Sequence, residues 1–271
     1  MKKLYILKLG GSLLTEKKSG QPKARIAQIQ RIAREIKLAQ EKNNFSLVLV
    51  HGVGSFGHPR AQEYKLWQGI FNRKQYLEFC RNNLDDLTLN KILLENFLEK
   101  DLPVFPVQPS AVITQVNGKI KTFETKIIKE LLQKNFIPVL YGNVVLDSAL
   151  NGSVCSGDAI VCYLAKKLKA ARVFFATDVD GVYTADPNSD TQAILIKKID
   201  KKNFEQIFPG IGKSSAKTDA GGGMRGKILE IKEQISQIET SIFNGSQPEN
   251  IFEVLTGKCL GTLIRFGERA G

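Results

Sequence analysis

Two glycine-rich segments near the amino terminus carry residues that could bind an anion. One is Lys8-Leu-Gly-Gly-Ser12, which ends an apolar run, and the other is His51-Gly-Val-Gly-Ser-Phe-Gly-His58. Glycines allow the backbone to approach an anion closely, and Lys8 adds a fixed positive charge. The first segment has neither the GxxxxGK[ST] pattern of a Walker loop nor the GxGxxG pattern of a dinucleotide-binding turn. Taken alone, it fits either a phosphate-binding loop or a plain turn.

His51 and His58 are the two histidines of the chain, and their spacing raises the question of a metal site. Such a site needs three or four ligands, and no acidic residue follows His58 before Glu63, so the sequence predicts no metal here. A helix beginning near Ser55 would instead present backbone N–H groups to a phosphate or carboxylate. We expect His58 to donate a hydrogen bond to that anion and His51, at a strand end, to be structural. A surface histidine in a first helical turn would also explain His58.

Three further segments are candidates for the same site. Ser153-Val-Cys-Ser-Gly-Asp158 precedes an apolar helix, where Asp158 fits either an N-cap or a polar site residue. The stretch Thr177-Asp-Val-Asp-Gly-Val-Tyr-Thr-Ala-Asp-Pro187 offers carboxylates that could position Mg²⁺, bond to a ribose or cap turns. Gly221-Gly-Gly-Met-Arg-Gly-Lys227 enters a helix with a lysine in its first turns, which suits a polyphosphate.

These segments together indicate phosphoryl transfer between two anions. That chemistry consists mainly of positioning the reactants and neutralising the charge on the transferring group. An acceptor that is already a phosphate oxygen has no proton to lose. Lysines and a histidine donor can therefore suffice without a general base.

The elements that must position these residues alternate along the chain. Apolar runs of strand length lie at Leu4–Leu9, Ser46–Val50, Val104–Val107, Ile137–Tyr141, Val173–Thr177, Thr240–Phe243 and Thr262–Phe266. Helical periodicity falls between them, at about 24–42, 74–100, 124–134, 157–169 and 223–238. The alternation predicts an α/β fold with an open, mostly parallel central sheet flanked by helices, whose ligands bind at the carboxyl ends of the strands.

Smaller signals refine this organisation. The pairs Asn117-Gly118 and Asn151-Gly152 are candidate hairpin turns. No repeat or Pro/Gly-rich linker divides the chain, so we expect one domain with two lobes. Tyr76, Phe79, Cys80 and Leu84 have helical spacing and could line an apolar pocket, although ordinary core is the favoured interpretation.

Composition limits the class of protein. A hydrophobic content of 42% over 271 residues can bury a sizeable core. No apolar run approaches the roughly 20 residues that span a bilayer, and the apolar run after the amino terminus is too short for a signal peptide. Four dispersed cysteines without a CxxC pair favour reduced thiols over disulfides or zinc. We therefore expect a cytoplasmic protein that does not enter a membrane.

The formal charge of +12 does not by itself identify a partner. Clustered Lys and Arg attract nucleic acid, but here basic residues are scattered among acids along amphipathic stretches. A positive balance also attracts small polyanions such as nucleotides. The sequence favours a small phosphorylated substrate and no nucleic acid.

The order of the motifs resembles the amino acid kinase superfamily over nearly the whole chain. The motifs are KLGGS, HGVGSFGH, SGD, TDVDGVYTADP, GGGMRGK, FNGSQPEN and GTLI. The GSFGH ending and the following Pro59-Arg-Ala-Gln-Glu-Tyr64 are most similar to the isopentenyl phosphate kinases within it. The resemblance implies a three-layer sandwich in one domain, 1–271, with the phosphoacceptor site in a lobe at about 1–150 and the nucleotide site in a lobe at about 151–271.

The resemblance also implies roles for individual residues. The residues expected to act in catalysis are Lys8, Lys17 and His58. Those expected around the acceptor phosphate are Val53, Gly54, Gly57, His58 and Gly157. Those expected around the nucleotide are Lys8, Gly10, Gly11, Ser12, Asp178, Asp180, Tyr183, Gly223 and Lys227.

The activity that the resemblance implies is ATP-dependent phosphorylation of isopentenyl phosphate, with Mg²⁺ held mainly by the ATP phosphates and a homodimeric assembly. Two alternatives are a kinase for another small phosphate or phosphonate such as fosfomycin, and a nucleotide-binding regulator without catalysis. Val53 stands where the family loop reads HGGG, and a positive φ there would strain a valine. Asp219-Ala-Gly-Gly-Gly-Met224 also departs from the family pattern, and Lys18 beside Lys17 leaves the acting lysine open.

Overall fold

The computed structural model describes residues 2–16, 21–187, 190–211 and 223–267. The strands are β1 (Lys3–Leu9), β2 (Phe45–His51), β3 (Val104–Pro106), β4 (Ile113–Val116), β5 (Lys119–Phe123), β6 (Ile137–Tyr141), β7 (Asn143–Asp147), β8 (Asn151–Cys155), β9 (Arg172–Thr177), β10 (Val182–Tyr183), β11 (Leu195–Ile196), β12 (Lys198–Ile199), β13 (Glu239–Asn244) and β14 (Thr262–Ile264). The helices are α1 (Gly11–Leu14), α2 (Ile26–Lys42), α3 (Gly54–Glu63), α4 (Arg73–Leu98), α5 (Pro109–Val112), α6 (Lys126–Gln133), α7 (Gly157–Leu168), α8 (Phe204–Ile207), α9 (Gly223–Ile235) and α10 (Asn250–Leu255).

The central sheet has eight strands in the order β12-β14-β13-β9-β1-β2-β6-β3. Its neighbours are parallel except β13 and β14, and β1 lies in the middle, with Leu7 opposite both Leu49 of β2 and Phe174 of β9. The predicted open, mostly parallel sheet is therefore confirmed. Every predicted strand and helix is present, with boundaries that differ by a few residues.

Alternating side chains along the strands build two cores, one on each face of the sheet. Ile6 faces the core formed with α6, α7 and α9, whereas its neighbour Leu7 faces the core formed with α2, α4 and α10. Both residues are fully buried. Strands that bury both faces are typical of a parallel sheet between helical layers, which explains their continuous apolar runs.

A second sheet, in the order β5-β4-β7-β8, extends one side of the molecule. The hairpin predicted at Asn117-Gly118 joins β4 and β5, and both residues have the positive φ that such a turn requires. The second hairpin exists, but its turn lies at 148–150. Asn151, with φ of 60°, is the first residue of β8 rather than part of the turn.

Helix α4 buries polar residues and exposes apolar ones. The predicted core stripe is wrong in part, because Phe79 is half-buried whereas Tyr76, Cys80 and Leu84 are exposed. The outward face continues with Leu77 and Leu87, which are also exposed. An exposed apolar stripe of this kind is typical of a surface that contacts another molecule.

All four cysteine thiols are free; Cys155 and Cys162 are buried, and Cys80 and Cys259 are exposed. Among the described residues, every helix is too short or too polar to cross a bilayer.

Candidate active site

The loops that follow β1 and β2 touch each other at the carboxyl edge of the sheet. A Cβ built on Gly11 would lie 2.5 Å from the Gly54 nitrogen, and one built on Gly52 would lie 2.6 Å from the Gly11 nitrogen. The Gly10 N–H donates to Ala176 O of β9 at 2.9 Å, and the Gly52 N–H donates to Leu9 O at 2.9 Å. Glycine is required at Gly11 and Gly52 because no side chain fits between these backbones.

Helix α3 starts directly from the second loop, as predicted. Gly54 has φ of 49°, and a Cβ there would overlap Thr15 Oγ1. Thr15 Oγ1 instead accepts the Ser55 N–H at 3.0 Å and donates to Gly11 O at 2.9 Å. One hydroxyl therefore ties the two loops together.

Val53 does not strain this loop. Its φ of −92° and ψ of −12° lie in the right-handed helical region, which any residue adopts. Its side chain is buried, with one methyl facing Gly57. The positive φ that would have made valine costly occurs one residue later, at Gly54.

The two histidines occupy different environments, as expected. His51 ends β2, is 1% exposed and stacks on Tyr141, with Nδ1 3.0 Å from Gly52 O and Nε2 3.1 Å from Asn90 Oδ1. Burial lowers the pKa of His51 by more than its hydrogen bonds to Gly52 and Asn90 raise it, so the ring is neutral at pH 7. A neutral ring carries one N–H, so it donates to only one of the two oxygens, Gly52 O or Asn90 Oδ1. His58 is exposed on α3, where solvent and ligands reach it.

Two lysines meet at Asp158. Asp158 Oδ1 forms an ion pair with Lys8 Nζ of β1, and Asp158 Oδ2 lies 2.6 Å from Lys227 Nζ of α9. All three side chains are 13% exposed or less. Lys227 also lies over the ring of Phe175, 4.8 Å from its centroid. The carboxylate thus gathers two ammonium groups, one from each half of the chain.

The electrostatics of Asp158 follow from this bridge. Burial opposes ionisation of the carboxyl, but Lys227 and Lys8 outweigh it and hold the pKa of Asp158 well below its ordinary value. The N-cap of α7 is Ser156, whose Oγ accepts the Ala159 N–H at 3.1 Å. The N-cap interpretation of Asp158 is therefore wrong, since that role belongs to its neighbour two residues earlier.

Gly157 makes room for Lys8. A Cβ on Gly157 would lie 3.2 Å from Lys8 Cε and 3.5 Å from His51 O. The structure thereby places the start of α7 against both β1 and the carboxyl end of β2. Gly57 plays a similar part on α3, because a Cβ there would overlap Asp86 Oδ1 of α4.

The acidic loop after β9 reaches the end of β13. Asp180 accepts from Asn244 Nδ2 at 2.8 Å and from Tyr183 Oη at 3.3 Å. Both Asp178 and Asp180 are exposed at the carboxyl edge of the sheet, and Tyr183 is half-buried. Burial, followed by the nearby Asp180 charge, raises the pKa of Tyr183, which keeps its hydroxyl protonated. The loop thus offers carboxylate and hydroxyl groups to a polar ligand.

The remaining predicted site residues, apart from Lys17, lie near these loops. Ser12 belongs to α1, directly after Gly10 and Gly11, and Gly223, with φ of 58°, is the first residue of α9. Lys17 and its neighbour Lys18 lie outside the described residues, as do 219–222.

The sequence interpretation did not assign three residues that the structure brings to this edge. The sequence leaves Asp158 as either an N-cap or a polar site residue, and only the approach of Lys8 and Lys227 through the fold reveals its bridging role. Asn244 stands in the FNGSQPEN motif, directly after an apolar strand, which was a usable signal. Thr15 carried no local signal for this tie, because Ser55, whose N–H it accepts, lies on α3 in another part of the chain.

Within the described residues, no three His, Cys, Asp or Glu side chains gather as a candidate metal cage. The groups that could bind an anion are instead ammonium ions, backbone N–H groups and one histidine. This donor set fits phosphates, with a divalent ion carried by the phosphates themselves.

Comparisons with known proteins agree over almost the whole chain. The model of the amino acid kinase family matches residues 3–244. Isopentenyl phosphate kinase of Methanocaldococcus jannaschii is 37% identical over 98% of this chain and 100% of its own length, and that of Methanothermobacter thermautotrophicus is 37% identical over 94% and 96%. A crystal structure of an isopentenyl phosphate kinase superposes with a TM-score of 0.84 at 36% identity, covering 96% of this chain and 99% of the other.

Proposed function

The chain belongs to the amino acid kinase family, and from that premise we propose that it transfers the γ-phosphoryl group of ATP to isopentenyl phosphate, giving isopentenyl diphosphate and ADP. It is a phosphotransferase with a phosphate group as acceptor. The observation that carries this proposal is the Lys8–Asp158–Lys227 bridge beside two touching glycine loops. Such an arrangement holds two anions side by side.

The reaction needs little beyond this placement. An oxygen of the acceptor phosphate attacks the γ-phosphorus, the bond to the β,γ-bridging oxygen breaks, and ADP leaves with the electron pair. The Lys8 and Lys227 ammonium groups neutralise charge on the transferring group, and Asp158 holds both in place. The attacking oxygen is already ionised, so no residue has to remove a proton.

We assign the acceptor phosphate to the α3 loop. Val53 and Gly54 offer backbone N–H groups at the amino end of α3, Gly57 and His58 lie in its first turns, and the exposed His58 ring can donate to a terminal phosphate oxygen. Gly157 borders the same space across from Lys8. We propose that the lobe at about 1–150, with Gly157 from the other lobe, binds the acceptor.

We assign the nucleotide to the carboxyl-terminal half, residues 151–271, with help from Lys8 and the loop after β1. Residues proposed to surround it are Gly10, Gly11, Ser12, Asp178, Asp180, Tyr183, Gly223 and Lys227. Lys17 is proposed as a further lysine near the transferring group. Mg²⁺ would be held by the ATP phosphates and would lower the barrier by neutralising their charge.

The apolar tail of the acceptor has a matching environment beside α3. A separate cluster of apolar residues packs there, distinct from the two main cores: Ala61, Leu66, Ile70 and Val144, with Tyr64, Phe79 and Val154 against them. Gly152 lets Phe79 and Ile70 pack directly against its backbone, because a Cβ there would lie within 2.9 Å of both. A five-carbon chain leaving the α3 loop would meet these side chains.

We propose a homodimer that forms through the outward face of α4. Exposed apolar side chains follow this face at helical spacing: Tyr76, Leu77, Leu84 and Leu87, with Phe71 just before the helix. A second copy of the same face would cover them by twofold symmetry.

A cytoplasmic location stays a prediction from the cysteine usage.

Coupled ADP release with Mg-ATP tests the proposed function. We expect turnover with isopentenyl phosphate well above the rate without acceptor, and a much lower kcat/KM with fosfomycin. Turnover no higher than the acceptor-free background would overturn the proposal. ATP binding by calorimetry without turnover on any acceptor would instead indicate a nucleotide-binding regulator.

A further inference from the structure

The Thr15 side chain lies between the two glycine loops and is 1% exposed. Its Oγ1 donates to Gly11 O at 2.9 Å and accepts the Ser55 N–H at 3.0 Å. Gly11 starts α1 in the loop assigned to the nucleotide phosphates, and Ser55 follows Gly54 at the start of α3, which is assigned to the acceptor phosphate. One hydroxyl therefore links the two loops that must bring the reactants together.

The backbone of Thr15 is held independently of this hydroxyl. The Thr15 N–H also donates to Gly11 O, at 3.0 Å, and Thr15 pairs with Ala24 in an isolated bridge. Just before it, Leu14 O accepts the Arg25 N–H at 2.7 Å. Removing the hydroxyl therefore leaves Gly11 O with a donor and keeps the chain around Thr15 in place. The bond that is lost without replacement is the one to α3.

The amino end of α3 is rich in glycine, with Gly52 and Gly54 at its start and Gly57 in its first turns. Glycine restricts the backbone less than any other residue, so this end of the helix depends on outside contacts for its exact position. The first N–H groups of a helix have no partner within it, and Thr15 supplies one for Ser55 from another part of the chain. The hydroxyl thus fixes the start of the acceptor helix against the nucleotide loop.

The carboxyl-terminal half of α3 is fixed by a different set of contacts. Arg60 Nε donates to Asp85 Oδ2 of α4 at 2.7 Å, and Arg60 also forms an ion pair with Glu78 of α4. Without the Thr15 hydroxyl, α3 therefore stays packed on α4 while its amino end can shift. His58 lies one helical turn after Gly54, so it would move with that end.

Phosphoryl transfer is sensitive to a shift of this kind. The attacking oxygen must lie about 3 to 3.5 Å from the γ-phosphorus and in line with the leaving oxygen, and a displacement of about 1 Å can cost about 100-fold in rate. A shift of one loop relative to the other changes this distance, although each loop keeps the groups that bind its own anion. The expected effect is therefore on the rate of transfer and not on the binding of either substrate.

We propose that Thr15 is a positioning residue whose hydroxyl sets the separation between the nucleotide phosphates and the acceptor phosphate. It acts through Gly11 and Ser55 rather than on the reacting atoms. The inference rests on the proposed function, because the separation of the loops matters only if the two anions bind there. The chemical step is unchanged: the acceptor phosphate oxygen bonds to the γ-phosphorus of ATP, and ADP leaves with the electron pair.

Two substitutions separate the hydroxyl from the shape of the side chain. Thr15→Val keeps the branched shape without the hydroxyl, and Thr15→Ser keeps the hydroxyl without the methyl group that faces Gly54. We expect Thr15→Val to lower kcat and the single-turnover rate by about 10- to 100-fold, with KM for ATP and for isopentenyl phosphate each within about threefold of wild type. Thr15→Ser should keep kcat within about threefold of wild type, because it retains both hydrogen bonds.

Thr240→Val is the matched control. Thr240 is fully buried near the amino end of β13, away from the carboxyl edge of the sheet, and its Oγ1 donates to Ile238 O at 3.2 Å. This variant loses a buried hydroxyl too, so it should lower Tm while kcat and both KM values stay unchanged. Amide exchange at Ser55, followed by NMR, reports the tie itself and should become faster in Thr15→Val but not in Thr15→Ser.

The kinetics separate this inference from the proposed function. A fall in kcat for Thr15→Val that Thr15→Ser restores, at constant KM, would support the positioning role. Wild-type turnover together with an unchanged kcat or unchanged Ser55 exchange in Thr15→Val would overturn the role and leave the proposed function standing. Equal falls in kcat for the two substitutions would also overturn it, since they indicate a packing role. A wild-type enzyme without turnover would overturn the proposed function and the positioning role with it.

Discussion

At the scale of single residues, Asp158 joins the two halves of the chain through its ion pairs. It holds Lys8 from the first strand and Lys227 from α9, and all three are nearly buried. Removing its charge would leave two ammonium groups facing each other in a site of low dielectric. We therefore expect the bridge to affect both stability and catalysis.

We predict that Asp158→Asn lowers kcat by about 100-fold or more and the free energy of unfolding by about 3 kcal/mol. Steady-state kinetics and urea unfolding measure the two effects. Asp200→Asn is the control, because Asp200 pairs only with the exposed Lys198 at 2.9 Å in the ion pairs of the described structure. Unchanged kinetics in Asp158→Asn would contradict the assigned role.

The same residue predicts a pH dependence. The pKa of Asp158 is depressed on folding, so its stabilising contribution is complete above its unfolded value, near 3.8, and is lost as pH falls below it. The difference in unfolding free energy between wild type and Asp158→Asn should therefore be constant near neutral pH and shrink below about pH 4. A difference that grew toward acid pH would contradict this sign.

The two histidines provide a second comparison. His58→Ala should lower kcat/KM for the acceptor by about 10- to 100-fold with little change in stability, because it loses a hydrogen bond to an anion. His51→Ala should lower the free energy of unfolding by about 3 kcal/mol, since it empties a buried ring site between Tyr141 and Asn90. Equal losses of kcat/KM in the two folded variants would contradict these roles.

At the scale of elements, α2 positions the turn that follows β13. Glu35 of α2 is buried and accepts the N–H groups of Glu249, Ile251 and Phe252 at 3.0, 3.0 and 3.3 Å. Arg31 pairs with Glu35 and donates to Gly245 O at 2.6 Å, one residue after Asn244. Helix α2, which shares a core with α10, thus fixes a loop at the proposed nucleotide edge.

We predict that Glu35→Ala lowers the free energy of unfolding by about 3 kcal/mol and Glu35→Gln by about 1 to 2 kcal/mol, because the amide keeps part of the cap. Glu35→Ala should also raise KM for ATP more than KM for the acceptor. Urea unfolding and initial rates measure both. Asp101→Asn, in an exposed pair with Lys37, should change neither, and an Asp101 effect as large as that of Glu35 would contradict the account.

Elements of this kind were predictable where the pattern is local. The strand Ile137–Tyr141 matches its predicted bounds because a buried strand between turns is set by its own residues. The glycine turns after β1 and β2 were predictable for the same reason, and their role as anion sites stays a prediction. Asp158, Thr15 and the hydrogen bond between Asp86 and Asn143 were not predictable, because each depends on a partner from a distant part of the chain. Val53 is the opposite case. Its place in the sequence suggested a strained backbone, but the fold gives it ordinary right-handed helical angles.

At the scale of the whole molecule, the charge of +12 and the apolar face of α4 point to different partners. The positive charge suits an enzyme whose two substrates are both anions, which it attracts over distance. The apolar face suits a second protein surface. These two features do not require nucleic acid.

The proposed dimer makes a direct prediction. Leu77→Lys combined with Leu84→Lys should convert a dimer to a monomer, because it places charge in the centre of an apolar interface. Sedimentation velocity reports the mass. Leu146→Lys, at an equally exposed leucine on β7, should leave the dimer intact. A wild-type protein that sediments as a monomer would contradict the proposal.

The central claim is that a phosphoryl group passes from ATP to the phosphate of an acceptor at the Lys8–Asp158–Lys227 bridge. Phosphorus-31 NMR of the enzyme with Mg-ATP and isopentenyl phosphate tests it most directly, because it identifies the product as well as the rate. We predict loss of the acceptor monophosphate signal and the appearance of two mutually coupled diphosphate signals together with ADP. ADP accompanied only by inorganic phosphate, or an unchanged spectrum, would contradict the account.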